Sequence, residues 1–250
     1  MLNAYIRRGD LPGAEEHLEA AIAGGLKPSV VVYTSVIDAL AKAGNAEKAV
    51  AWFERALSDG VSPTIRTFNA VAKVFARKGD KQSVMRLFSN ARDAGVTPDD
   101  VTHLAFIDVN ANSGNVKGVL AYLDRMRRNR AMPNVYHYAS ALKGCAKSRA
   151  DMSATAWGLV QRMLEEGVRP NTIVYNMAIK ACVIGRPQTS EAAEYLFRHM
   201  LDSGVVPDRH TKIYLGNVVG PSRLQELAES LGVPLEPQFL PAAGRAGTAV

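Results

Sequence analysis

The chain has 250 residues, 47% apolar and 22% charged, so it carries enough side-chain surface to build cores and shows no compositional sign of disorder. Thirty Lys and Arg against 24 Asp and Glu leave a formal charge of +6, a mild bias that suits a polyanionic partner without requiring one. Two cysteines argue against a disulfide scaffold and fit a reducing compartment, and no apolar stretch approaches the roughly 20 residues of a bilayer-crossing helix, so no membrane partner is expected.

Along the chain, prolines recur at Pro28, Pro63, Pro98, Pro133, Pro170 and Pro207, separated by 35, 35, 35, 37 and 37 residues. Each precedes a side chain able to cap a helix: Ser29, Thr64, Asp99, Asn134, Asn171 and Asp208. Three residues before the proline stands a glycine, at Gly25, Gly60, Gly95, Gly167 and Gly204, where a helix would end in a left-handed residue; Arg130 breaks that series. A second glycine ladder, Gly9, Gly44, Gly79 and Gly114, marks the turn inside each unit.

In the first complete unit Tyr33, Val36, Ile37 and Leu40 follow the helical i, i+3, i+4, i+7 pattern, and Ala49, Phe53 and Leu57 continue it after Gly44. Eleven residues before each capping position sits an apolar anchor: Leu18, Phe53, Phe88, Leu123, Val160 and Phe197. These anchors predict a continuous column through a stack of helix pairs that no unit could bury alone. The two longer units place their extra residues in the turns near Ser148–Ser153 and Gly185–Ser190. Beyond Asp208 the pattern decays. Ile213–Val219 and Leu224–Leu231 are expected to form a divergent closing pair over 209–233, and residues 234–250 a flexible tail. Met1 falls partway into a unit, which suggests a fragment of a longer protein or a misplaced start. The predicted fold is all-α, a right-handed α–α superhelix, or solenoid, of tandem helix–turn–helix repeats.

A helix pair of 35 residues that ends in Gly-x-x-Pro-Asp/Asn and restarts with x-x-x-Tyr-Asn resembles the pentatricopeptide repeat. Gly204-Val205-Val206-Pro207-Asp208 and Thr172-Ile173-Val174-Tyr175-Asn176 carry the likeness most fully. On that resemblance the units run 30–64, 65–99, 100–134, 135–171 and 172–208, after a partial unit at 1–29. The tetratricopeptide repeat, with 34 residues and a Trp-Leu-Gly-Tyr pattern, fits neither the period nor the positions of Trp52 and Trp157.

The resemblance implies single-stranded RNA as partner, one base per unit, read by the fifth and last residues of each unit. The pairs are Thr34 with Thr64, Asn69 with Asp99, Leu104 with Asn134, Ala139 with Asn171, and Asn176 with Asp208. Asn with Asp resembles the uridine-preferring pair, so units two and five are expected to favour pyrimidines, U foremost, and Thr34 resembles a purine reader. Leu104 and Ala139 have no polar side-chain atom and are expected to contribute spacing, or contact without selectivity. The second residue of each unit, Val31, Arg66, Val101, Tyr136 and Ile173, would flank the base. Asn69 and Asn176 lie in the first turn of a helix, where Asn is a poor former and no structural reason for it is evident.

Other constellations carry less. Cys145 and Cys182 are one repeat apart and read as core fillers rather than metal ligands. His17-Leu18-Glu19 matches the H-x-E of zinc deaminases without the accompanying P-C-x-x-C, and His103 takes the Tyr position of its unit. Arg127, Arg128 and Arg130 read as a solvated helix face. No phosphate-cradling glycine loop, G-x-S-x-G elbow or paired-carboxylate cleft is present, so neither catalysis, cofactor, metal nor small-molecule substrate is expected. The expectation is therefore sequence-selective RNA binding in organellar RNA processing, stability or translation, in a chloroplast or mitochondrion on family grounds, with RNA-processing proteins as further partners. A protein-binding helical scaffold and the RNA-guiding piece of a longer enzyme stand as alternatives.

Overall fold

The computed structural model describes residues 2–148, 150–182 and 187–235, so the expected tail lies, from residue 236 on, outside the described residues. Among these there are fourteen α-helices and no strand. None of the helices is long and apolar enough to cross a membrane. In order they are α1 (Leu2–Arg8), α2 (Leu11–Ala23), α3 (Val30–Lys42), α4 (Ala46–Ser58), α5 (Ile65–Lys78), α6 (Lys81–Asp93), α7 (Asp100–Asn112), α8 (Val116–Arg128), α9 (Val135–Lys147), α10 (Ser153–Glu165), α11 (Thr172–Lys180), α12 (Pro187–Asp202), α13 (Arg209–Val219) and α14 (Pro221–Ser230). The chain forms two compact units, Met1–Val109 and Asn110–Val250.

Within the first unit α3 packs on its hairpin partner α4 and on α5, and α5 on α6. Within the second, α11 packs on α9, α12 and α13. Within each unit first helix thus lies against first helix. Tyr33, Ile37 and Leu40 are fully buried in the first unit, and Leu123, Tyr138, Leu142, Met163 and Tyr175 in the second. All six predicted anchors are buried. Their ring contacts in the first unit run to the following first helix rather than to one another: Phe53 meets Phe68 edge-on at 5.5 Å, and Phe88 meets Phe106 at 4.8 Å.

One predicted core position is corrected. Leu57 is exposed, and Ala56 is buried beside Ala49 and Phe53. At about 100° per residue, two steps of four carry Leu57 about 80° off the face that Ala49 begins, whereas seven residues bring Ala56 back to within about 20° of it.

The glycine ladders do what the sequence asks of them. Gly60, Gly95, Gly167 and Gly204 all have φ between 72° and 74°, the left-handed region that ends a helix. Arg130, which interrupts the ladder, adopts the same conformation at φ 59°, and no other described non-glycine residue has positive φ. A side chain there is strained by roughly 1–2 kcal/mol. Arg130→Gly is expected to raise stability by about 1 kcal/mol, read as a higher urea midpoint at unchanged slope; a lower midpoint would show that the arginine's own contacts outweigh the strain.

In the longer hairpin of α9 and α10, five positions, 148–152, separate the helices, where three (Ala43–Asn45) separate α3 from α4. The insertion is accommodated in the turn. In the next hairpin the corresponding segment, 183–186, lies outside the described residues, and α12 already begins at Pro187.

Candidate nucleic-acid interface

The capping residues differ in what they do. Asp99, Asn134, Asn171 and Asp208 each accept a backbone N–H from the first turn of the helix that follows, whereas Ser29 makes no side-chain cap bond. This pins the last residue of one hairpin to the start of the next.

In the first unit the pinning builds a groove of about 580 Å³. It is lined by Val31, Thr34, Thr64, Arg66, Asn69, Asp99 and Val101, with Lys42 and Lys73 on its wall. Every candidate reader and flanker of the first two complete hairpins therefore lines one concavity. A larger cavity of about 800 Å³ lies between α2 and α4 and contains none of them. Its half-buried carboxylate, Glu15, is already taken by Lys48 and by the Trp52 indole N–H.

The fifth residue of each first helix meets the last residue of its hairpin and the third residue of the next. Asn69 Nδ2 donates to both Asp99 oxygens at 2.9 and 3.0 Å, and the Thr102 hydroxyl donates to Asn69 Oδ1 at 2.9 Å. In the second unit the arrangement repeats: Asn176 Nδ2 donates to Asp208 Oδ1 at 3.0 Å, and Thr211 donates to Asn176 Oδ1 at 2.6 Å. Burial raises the pKa of Asp99 and of Asp208, but the hydrogen bonds from Thr102 or Thr211 and from the asparagine outweigh it and hold both carboxyls below their usual value. Both stay ionised and acceptor-only near neutral pH. Thr34 bonds to Thr67 at 2.7 Å, and Thr67 in turn meets Thr64 at 3.3 Å.

These contacts supply the structural reason for Asn69 and Asn176 that the sequence did not show: each joins two hairpins. Only 5% and 4% of their surfaces are exposed, so a ligand would reach an amide edge and no more. Thr67, Thr102 and Thr211 were missed, although the signal, a hydroxyl three residues after a cap, stands in the sequence.

Leu104 and Ala139 are half-buried. Leu104 belongs to the first unit and its expected partner Asn134 to the second. Among the flanking candidates Val31, Tyr136 and Ile173 are 69%, 67% and 59% exposed, unusual for side chains this apolar and suited to contact with a base face. His210, which sequence reasoning passed over because it lies beyond the regular units, holds in α13 the place that Ile173 holds in α11, with its ring nitrogen 3.9 Å from Asp208.

The remaining candidates have other occupations. Arg127 pairs with Glu166, and Arg128 Nε donates to the Asp124 carbonyl. His17 packs on the Tyr5 ring, and His103 is half-buried in α7. Cys145 and Cys182 are buried free thiols whose pKa values burial pushes up to about 11 and about 12, which makes both poor nucleophiles.

Stacked helical hairpins, three of which present a polar fifth residue (Thr34, Asn69 and Asn176) beside the cap that ends the hairpin, define a helical-repeat protein. The profile described as the pentacotripeptide-repeat region of PRORP matches residues 10–135, and that of the pentatricopeptide repeat domain matches residues 133–185. The chain belongs to the pentatricopeptide repeat family. It is similar to the crystal structure of PPR10 from maize, with 25% identity and a TM-score of 0.68 over 95% of this chain and 34% of that one. It therefore spans about a third of the PPR10 chain. PPR10 in complex with an 18-nt psaJ RNA element is similar at 21% identity and TM-score 0.60, over 95% of this chain and 44% of that one. The PPR domain of Arabidopsis thaliana protein-only RNase P 1, in complex with tRNA, is similar in fold at 15% identity and TM-score 0.59, over 76% of this chain and 95% of that one. No curated protein matches the chain.

Proposed function

We propose that the array binds single-stranded RNA and reads at least two of its bases through Asn69 with Asp99 and Asn176 with Asp208. The observation that carries this reading is the groove in which Asn69 and Asp99 lie with the flanks Arg66 and Val101. An amide beside an anion, between two contact surfaces, can hydrogen-bond one base edge while the base is stacked. That the RNA-bound PPR10 structure shares the fold supports it further.

Both pairs are expected to favour uridine, and the bases they read lie three nucleotides apart, one per intervening hairpin. Binding without catalysis, in chloroplast or mitochondrial RNA metabolism, is the setting the family resemblance suggests.

The test is fluorescence anisotropy with a short unpaired RNA carrying U three nucleotides apart, at several salt concentrations. Affinity should fall with salt, as phosphate contacts from Arg66 and Lys73 require. Replacing either U by A should weaken binding about ten-fold, the scale of one matched base edge. Asn69→Leu and Asn176→Leu should each erase that preference at one nucleotide only. Equal affinity for the U and A strands would defeat base reading, and a protein-binding scaffold would then be the better account.

A further inference from the structure

The amide that reads a base has two ends that differ only in donor and acceptor, and uracil and cytosine differ by the same exchange at their pairing edges. Selecting one over the other requires an amide that cannot turn or tilt. At Asn69 the Asp99 carboxylate, able only to accept, decides which end is nitrogen. It leaves the plane of the amide free to pivot about that contact. The carbonyl end is held by Thr102, a fully buried residue of the following hairpin. The Thr102 hydroxyl has one proton and two acceptors in reach, Asn69 Oδ1 and Asp99 Oδ1, both at 2.9 Å. Asp99 Oδ1 already takes the Thr102 N–H and an Asn69 N–H, whereas Asn69 Oδ1 has no other donor among the described residues, so the proton belongs on the amide. Thr211 holds Asn176 in the same way.

A capping box alone would also place a hydroxyl three residues after a cap. The chain separates that explanation from another. Where the fifth residue is polar, at Thr34, Asn69 and Asn176, the third residue of the next hairpin is Thr67, Thr102 and Thr211. Where the fifth residue is apolar, at Leu104 and Ala139, the third residue of the next hairpin is His137 and Val174, although Asn134 and Asn171 are caps as good as Asp99. The hydroxyl follows the reader, not the cap.

We infer that Thr102 and Thr211 are positioning residues for base selection, so that each reading element consists of three side chains drawn from two consecutive hairpins and a hairpin's preference depends on the third residue of the next. This rests on the RNA-reading proposal above.

The experiment measures, on the full chain, the affinity ratio for U over C at each cognate nucleotide, together with thermal unfolding. Thr102→Val should lower the ratio about five-fold at its own nucleotide and leave it unchanged at the nucleotide read by Asn176, as loss of one net hydrogen bond requires. Thr102→Ser, which keeps the hydroxyl, should retain the ratio. Thr211→Val should give the mirror result and serves if Thr102→Val fails to fold. A melting temperature lowered by Thr102→Val with the ratio intact, while Asn69→Leu abolishes the preference, would overturn the positioning role and leave the reading proposal standing. A preference that survives Asn69→Leu would remove the reading itself, and this inference with it.

Discussion

Replacing Gly144 with leucine is expected to destabilise the protein by about 3 kcal/mol, while Gly158→Ala, in the partner helix of the same hairpin, is expected to stabilise it by about 1 kcal/mol. Both glycines lie inside helices, α9 and α10, where glycine is worth about 1 kcal/mol less than alanine. Their surroundings are opposite. A Cβ on Gly144 would stand 3.1 Å from Ala111 Cα and 3.3 Å from Ala111 Cβ, with a Val119 methyl at 3.6 Å. Backbone cannot step aside as a flexible side chain can, so a larger residue must push α9 off the end of α7 and open the buried face that Tyr138 and Leu142 fill. Around Gly158 nothing lies within 4 Å of the added carbon, so only the propensity gain and the smaller unfolded-state entropy remain. Urea midpoints at constant slope measure both. A Gly144→Leu variant that unfolds with the parent would mean that α9 does not approach Ala111 so closely.

The hairpins were legible because their punctuation is local. Gly44, Gly79 and Gly114 need a left-handed backbone for the turn, and they have it at φ 80°, 72° and 68°. A cap acts on the residues two or three beyond it, so Asp99 and Asn134 could be recognised without knowledge of the fold. What sequence reasoning missed depends on pairs brought together from different turns of the stack. Asn69 looked gratuitous in a helix because Asp99 and Thr102 lie 30 and 33 positions away. Extending the period by fours puts Leu57 in the core, where the helix geometry needs a seven. Arg130 keeps the glycine conformation without a glycine, three residues before Pro133 as the glycines stand before their prolines. A further device went unnoticed. Tyr33 donates to Asp59, which Arg55 also contacts from one turn back, and the second unit repeats this with Tyr138, Glu166 and Arg162. Tyr175 with Ser203 and His199 holds the corresponding place in the next hairpin. Each latch ties the start of a first helix to the end of its second, just before Gly60, Gly167 or Gly204.

The strongest of these latches should be the one at Glu166, and Glu166→Gln is expected to lower stability by about 3 kcal/mol. The side chain is only 6% exposed, and three donors converge on it: the Tyr138 hydroxyl, Arg162 Nε at 3.1 Å and Arg127 Nε at 3.2 Å. It sits at the carboxyl end of α10, where the helix carbonyls disfavour an anion, so without the two guanidinium groups this would be a poor place for a carboxylate. Glutamine keeps the size but turns donors toward donors and removes the charge. Arg162 would then have only Asp124, at 2.7 Å and itself 56% exposed, to balance a side chain that is 19% exposed and whose Nη2 is already buried without a partner. An unbalanced, largely buried charge of this kind explains the size of the loss. Arg127→Met, which removes a partner that is 53% exposed, should cost less than about 1 kcal/mol. Replacing Arg162 and Glu166 together by leucine should recover most of the single-variant loss, because it removes both charges at once. A double-variant cycle in urea decides the matter: if Glu166→Gln costs no more than Arg127→Met, the carboxylate is solvated after all, and the latch orients the hairpin without stabilising it.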